Sequence, residues 1–263
     1  MIVDSHCHLD RVNLDKYNGD FDAMLLNAKQ AGVSHMLCVS VDMETFPKVH
    51  AIALKYPHIF ASVGIHPDEN SPTNPTFDEL VTLAKKDKIV AIGETGLDYF
   101  HKGDQEEQRE RFRMHIEVAK TVNKPLIIHT RDAREDTIRI MREANAEKVG
   151  GVMHCFTEDL DMAEKAMALG FYISFSGIVT FKNAKDLQTL AQQIPLDKML
   201  VETDSPYLTP DPYRGKPNEP AFVSIVADKI AKLRGISYEE VAVQTTKNFF
   251  KLFLNNDQNL MTY

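Results

Sequence analysis

Eight short apolar runs punctuate this chain, at residues 2–6, 35–41, 59–64, 89–94, 126–129, 151–154, 171–175 and 199–202. Each is too short for a helix and is bounded by polar residues, Gly or Pro, the pattern of a strand buried on both faces. Amphipathic stretches separate them. Phe21, Met24, Leu25 and Ala28 repeat at helical spacing, with Gly32 placed to end the helix. Thr76 to Glu79 has the form of a capping box ahead of Leu80 and Leu83. Residues 105–123 form a long amphipathic pattern closed by Pro125, and 164–169 ends at Gly170. A second capping box, Ser237 to Glu240, opens a Phe-rich C-terminal helix. Eight strands alternating with helices in 263 residues predict an α/β protein, a TIM (β/α)8 barrel with an extra C-terminal helix. A doubly wound sheet is the alternative. No Gly/Ser-rich or Pro-rich linker divides the chain. The stretches 67–75 and 206–220 read as long loops inside one domain spanning 1–263.

Composition narrows the function. A net charge of -8 argues against a broad basic face for duplex nucleic acid. It leaves room for nucleic acid at a small site, because bound metal ions do not enter the formal charge. Cys7, Cys38 and Cys155 form no C-x-x-C pair, which predicts a reducing compartment and no disulfides. The first residues already read as a strand, so no secretory signal is expected, and no apolar run reaches the ~18 residues of a membrane span. A cytoplasmic protein is expected. Nothing marks a large apolar interface, and a monomer is expected.

The polar residues at the strand ends carry the chemistry. His6 and His8 end the first run, His66 follows the third, Glu94 the fourth, His129 the fifth, His154 the sixth and Asp204 the eighth. In a barrel these ends gather on the face where active sites form. Strand residues two apart point the same way, so His6 and His8 can offer two imidazoles to one ion while Cys7 points elsewhere. Imidazole with carboxylate suits Zn²⁺, Mn²⁺, Co²⁺, Ni²⁺ or Fe²⁺, and Mg²⁺ can occupy such a mixed site weakly. Six donors are too many for one ion that keeps a position open, so two divalent metal ions are expected. Site one would be His6, His8, Glu94 and Asp204. Site two would be Glu94, His129 and His154, with Glu94 as bridge.

The segments DSHCHLD, GIHP, GETGLDY, KPLIIHTRDA, HCFT and VETDSPYL, in this order, resemble the TatD family of metal-dependent hydrolases. In its H-x-H form the chain resembles the YcfH-like branch. The resemblance runs from Val3 to about Phe253. It implies an amidohydrolase-like TIM barrel, magnesium- or manganese-type ions, and deoxyribonuclease activity of the 3′–5′ exonuclease kind on nucleic acid, with single-stranded DNA ends as the expected partner. By that likeness His6, His8, Glu94, His129, His154 and Asp204 match the family's metal positions.

Phosphodiester hydrolysis asks for an activated water and charge neutralisation. Asp204 is the candidate base or water orienter as well as a ligand. His66 is expected to contact the scissile phosphate or to protonate the leaving oxygen; the alternative is a Pro-flanked loop histidine. Arg131 is a candidate phosphate fork, or else pairs with Asp132 or Glu135. Asp98 either supports Glu94 or His66 or caps a turn. Glu202 is expected to hydrogen-bond a ligand histidine or to salt-bridge within the barrel. Cys7 and Cys155 are expected to pack, and Tyr99, Phe100 and Tyr207 stack on bases or pack in loops. The remaining histidines, His35, His50, His58, His101 and His115, read as structural or surface residues. A competing function is an amidohydrolase acting on a small-molecule C–N or ester bond.

Overall fold

The computed structural model describes residues 1–69, 74–101 and 103–255. Its strands are β1 (Ile2–Cys7), β2 (Val33–Cys38), β3 (Ile59–Val63), β4 (Ile89–Asp98), β5 (Leu126–Arg131), β6 (Gly151–Met153), β7 (Phe171–Phe175) and β8 (Met199–Val201). The helices are α1 (Phe21–Gln30), α2 (Phe46–Lys55), α3 (Phe77–Ala84), α4 (Gln105–Val122), α5 (Arg134–Glu143), α6 (Leu160–Ala168), α7 (Lys185–Gln193), α8 (Val223–Arg234) and α9 (Tyr238–Leu254). The strands form one eight-stranded sheet in the order β1 to β8. The pairs β1–β2, β3–β4, β4–β5, β5–β6 and β6–β7 are parallel. A helix follows every strand, and α9 is the extra C-terminal one. This is the TIM (β/α)8 class expected from the sequence.

Both expected capping boxes are present, at Thr76 with Glu79 and at Ser237 with Glu240. Strand boundaries differ from the reading. β2 covers 33–38 where 35–41 was expected, and β8 ends at Val201. β4 continues past Glu94 to Asp98, because Thr95, Gly96, Leu97 and Asp98 pair with Ile128, His129, Thr130 and Arg131 of a longer β5. The polar Glu-Thr-Gly hid this extension. Gly96 is what allows it: its φ is +138°, and a Cβ there would collide with the His129 carbonyl.

The chain forms two compact units, one of residues 1–38 with the described residues from 174 onward, the other of residues 39–173. In the first, Phe249, Phe250 and Phe253 of α9 are buried, each stabilising by about 1.5–3 kcal/mol. Phe250 meets His35 edge-on, and the Asn248 amide donates to the carbonyls of Leu196 and Met199 at the start of β8. In the second, α4 lies against β4, and Gln108 exchanges two hydrogen bonds with the backbone of Asp98. The expected loop 206–220 has no helix or strand before its last residue, while 70–73 of the other expected loop lie outside the described residues. Among the described residues no helix is long and apolar enough to cross a membrane.

Candidate metal centre

In the first unit, β1 presents His6 and its continuation His8 on the same side, as alternation requires. Their Nε2 atoms are 3.3 Å apart. Asp204 Oδ1 lies 3.6 Å from His6 Nε2 and 3.3 Å from His8 Nε2. Cys7 turns the other way, and its thiol donates to the Leu37 carbonyl at 3.4 Å. All three members of the group are buried. Asp204 sits just past β8 in the left-handed region, with φ of +56°. Its N–H donates to the His6 carbonyl, and the His8 N–H donates to the Ser205 carbonyl. These two bonds fix the carboxylate against the two imidazoles.

The residue before Asp204 is held by one the sequence reading assigned no role. Asp4 accepts from the Thr203 N–H at Oδ1 (2.9 Å) and from the Thr203 hydroxyl at Oδ2 (2.6 Å). Positions 4, 6 and 8 share a strand face, and that parity was the signal available in the sequence. Glu202 accepts from the Ser174 hydroxyl at 2.6 Å, and a carboxylate oxygen lies within 4.8 Å of a His6 ring nitrogen.

In the second unit, three imidazoles surround one carboxylate oxygen. Glu94 Oε1 is 2.8 Å from His154 Nε2, 3.2 Å from His129 Nδ1 and 3.5 Å from His66 Nε2. Burial pushes the Glu94 carboxyl up, but His154, His66 and His129 outweigh it and hold it well below the usual carboxylate range. His129 is oriented from behind. Its Nε2 lies 3.1 Å from Asp98 Oδ2, which leaves Nδ1 facing Glu94. Burial lowers the His129 pKa, but the bonds to Asp98 and Glu94 raise it by more, for a net rise.

Asp98 caps the turn as one expectation had it, but the side chain it supports is His129 and not Glu94 or His66. Its Oδ1 makes the cap by accepting from the N–H groups of Phe100 and His101. His101, expected to be a structural or surface residue, is exposed and places its Nδ1 2.9 Å from Asp98 Oδ2. Nothing in the sequence tied it to the site beyond its place three residues after Asp98.

His66 differs from the other imidazoles. Its Nδ1 accepts from the Asp68 N–H at 3.1 Å. Burial holds its pKa down to about 3, so the ring is neutral and its one proton is on Nε2, the atom facing Glu94 and His129. The His66 loop is anchored by α4. The Arg111 guanidinium donates to the carbonyls of His66, Pro67 and Glu69, and His115 Nε2 accepts from the Ile65 N–H.

Arg131 does not make the ion pair that was the alternative to a phosphate fork. Its guanidinium lies over the Phe100 ring, 3.7 Å from the centroid, and among the described residues it makes no ion pair with Asp132 or Glu135. Tyr99 packs instead through its hydroxyl, which donates to Asp136 at 2.6 Å.

The donor sets fit divalent metal ions. Two ligands at right angles or at the tetrahedral angle around an ion with bonds of about 2.0–2.1 Å are ~2.8–3.4 Å apart. The separations of 3.3 and 3.6 Å from Asp204 to the two histidines, and of 2.8 and 3.2 Å from Glu94 to His154 and His129, fall near that range. The ligand atoms of His6, His8 and Asp204, and those of His66, Glu94 and His129, lie within 4.8 Å of one another, with His154 Nε2 2.8 Å from Glu94 beside the second set. Two imidazoles and a carboxylate suit Zn²⁺, Mn²⁺, Co²⁺ or Ni²⁺.

Known proteins carry the same arrangement of sequence. Residues 3–254 match the family described as TatD related DNase. YcfH of Escherichia coli strain K12, described as an uncharacterized metal-dependent hydrolase, is 46% identical over 254 residues, covering 96% of this chain and 95% of that protein. YabD of Bacillus subtilis strain 168, described in the same words, is 43% identical, covering 97% of this chain and all of that one (100%). Among solved structures, the TatD homolog YJJV of Escherichia coli K12 superposes with a TM-score of 0.88 at 29% identity, covering 96% of this chain and 97% of that one. With a family match along nearly its whole length, and with two imidazole–carboxylate groups on its strands and just past them, the chain belongs to the TatD family of metal-dependent hydrolases.

Proposed function

We propose that this protein is a deoxyribonuclease that removes nucleotides from single-stranded DNA ends, in the 3′–5′ direction, with two divalent ions. One ion is held by His6, His8 and Asp204, the other by Glu94, His129 and His154. The observation that carries the reading is the pair of donor groups with ligand-like spacing, the second with the His66 N–H aimed into it. The family description, TatD related DNase, supports phosphodiester chemistry.

When bound, the ions supply Lewis acidity, acidifying the attacking water and offsetting the charge of the phosphate. Asp204 takes the proton of that water as its oxygen adds to phosphorus, and passes it to the 3′ oxygen as the bond from phosphorus to that oxygen breaks, leaving a 3′ hydroxyl. His66 donates its Nε2–H to a non-bridging phosphate oxygen. A neutral imidazole that gave that proton up would become an anion, so His66 acts as a hydrogen-bond donor and not as the acid for the leaving group. Asp98 keeps His129 in the tautomer that presents Nδ1.

The test is cleavage of end-labelled single-stranded DNA by chelated protein after addition of Mg²⁺, Mn²⁺, Co²⁺ or Zn²⁺, beside Glu94→Ala. Metal-restored stepwise shortening from the 3′ end, absent in the variant, is expected. Two bound ions with no cleavage under any metal would sink the nuclease reading in favour of a small-molecule hydrolase. Counting ions in the variant also assigns the carboxylate: one lost ion makes Glu94 a ligand of its own group, two lost ions make it the bridge.

A further inference from the structure

The loop between β8 and α8 carries a second feature, which lies in the same unit as His8 and Asp204. Tyr207 follows Asp204 by three residues, is 48% exposed, and meets the His8 ring edge-on with centroids 5.8 Å apart. Beyond it, residues 212–217 are all exposed. The Tyr213 ring stacks on Phe222 at 4.9 Å and 9°, and Lys216 Nζ lies 5.5 Å from the Tyr213 centroid. The Arg214 guanidinium lies 3.9 Å over Phe181, next to Lys182.

Several cations elsewhere on the surface are neutralised by a neighbouring carboxylate. Lys165 faces Asp161, Lys232 faces Asp228, and Arg139 faces Asp136 and Glu143. Among the described residues, Lys182, Arg214 and Lys216 make no ion pair, and Arg214 and Lys216 rest on aromatic rings instead. Between 205 and 217 the one carboxylate is Asp211, whose N–H donates to Thr180 Oγ1 at the root of the arm. On a chain of net charge -8 this is a local positive stripe interleaved with rings.

The arm is also fixed in place. The Thr209 hydroxyl donates to the Lys216 carbonyl, the Tyr213 N–H to the Pro210 carbonyl, and the Asn218 amide to the carbonyls of Thr203 and Tyr207. Gly177 lets it approach, since a Cβ there would collide with the Leu208 carbonyl. Groups already ordered lose little freedom on binding.

Rings with un-neutralised cations between them match a strand of bases and phosphates: bases stack on exposed faces while guanidinium and ammonium groups meet the backbone. We propose that residues 206–217, with Phe181 and Lys182, form the track for a single-stranded nucleic acid, with Tyr207 nearest the reacting end and Arg214, Lys216 and Lys182 on phosphates farther along. This rests on the nuclease reading and adds that the substrate is a strand several nucleotides long, not a dinucleotide.

The experiment measures binding of a fluorescent phosphorothioate dinucleotide and 12-mer, in Mg²⁺ across a salt series. It compares wild type, Arg214→Ala/Lys216→Ala, the same variant with Lys182→Ala, and a charge-matched control, Lys165→Ala/Lys232→Ala. Each single-strand phosphate contact contributes about 0.7 to the slope of log affinity against log salt. The expected result is a wild-type preference for the 12-mer, about a tenfold loss in the double variant with a slope smaller by about 1.4, a further loss in the triple variant, and no change in the control. A wild type that cleaves and binds the 12-mer, with variants of equal affinity and slope, overturns the track and leaves the nuclease reading standing. A wild type that neither binds nor cleaves the 12-mer removes both.

Discussion

Asp4 and Thr203 are joined twice, the Thr203 N–H to one carboxylate oxygen at 2.9 Å and its hydroxyl to the other at 2.6 Å. The clamp fixes the residue immediately before Asp204, whose φ of +56° costs a non-glycine residue about 1–2 kcal/mol. Burial pushes the Asp4 carboxyl up to about 8, above the lowering by its bonds to Thr203, so at neutral pH it is largely a neutral acid. Asp4→Ala leaves two buried donors unsatisfied and is expected to lower stability by about 1–3 kcal/mol. It is also expected to weaken metal binding at His6, His8 and Asp204. Asp4→Asn can accept at Oδ1 and donate to Thr203 Oγ1, so it is expected to retain both properties. Titration of Mn²⁺ followed by electron paramagnetic resonance, beside urea unfolding, checks this; an Asn variant as damaged as the Ala variant would show that the ionised acid is required.

Asp98 makes an equivalent clamp in the other unit. Its Oδ2 meets His129 Nε2 at 3.1 Å and His101 Nδ1 at 2.9 Å. Removing such a partner typically costs 10–100-fold in metal affinity or activity. Asp98→Ala is expected to lose that much in affinity for the ion at Glu94, His129 and His154, with the ion at His6, His8 and Asp204 retained. His101→Ala, which leaves the His129 bond intact, is expected to lose less than tenfold. Metal content after dialysis against graded free Mn²⁺ separates the two, and equal losses would mean that the whole Asp98 turn, and not its bond to His129, sets the affinity.

The barrel was legible because buried parallel strands read as short apolar runs and the intervening helices carry caps and periodicity. His6, His8 and Asp204 were legible as a set because each ends or follows an apolar run, and so were Glu94, His129 and His154. What the sequence hid was pairing at a distance. Asp4 and Thr203 are 199 residues apart, and no local pattern links them. Asp98 looked like a loop residue because Glu-Thr-Gly breaks the apolar run, although β4 continues through it beside β5. The tautomer of His66 depends on one backbone N–H, that of Asp68, which only the folded loop supplies.

Arg131 stacked on Phe100 leads to a different expectation from a simple phosphate fork. A planar guanidinium held against a ring keeps its edge N–H groups available to a phosphate, whereas a lysine ammonium keeps the charge and loses the plane. Arg131→Lys is therefore expected to raise KM for single-stranded DNA nearly as much as Arg131→Ala, about 3–10-fold, with kcat little changed. Phe100→Ala is expected to reproduce part of the effect by freeing the side chain. A collapse of kcat at unchanged KM in steady-state cleavage would instead place Arg131 at the transition state.

His115 gives the fold a pH dependence whose sign follows from burial. Its Nε2 accepts from the Ile65 N–H, its Nδ1 meets the Arg111 carbonyl at 2.8 Å, and burial lowers its pKa to about 4 from an unfolded value of 6.5. Between those values the unfolded chain binds a proton that the folded chain does not, so stability rises with pH there and falls as pH drops from 6.5 toward 4. The full shift corresponds to about 3 kcal/mol. Glutamine can accept from Ile65 and donate to Arg111 without titrating, so His115→Gln is expected to lose about 2–3 kcal/mol less than wild type between pH 7 and pH 4. Urea midpoints at several pH values, taken on chelated protein, check this. Parallel curves for the two proteins would mean that His115 is protonated in the fold, and that the His66 loop is not held through a neutral imidazole.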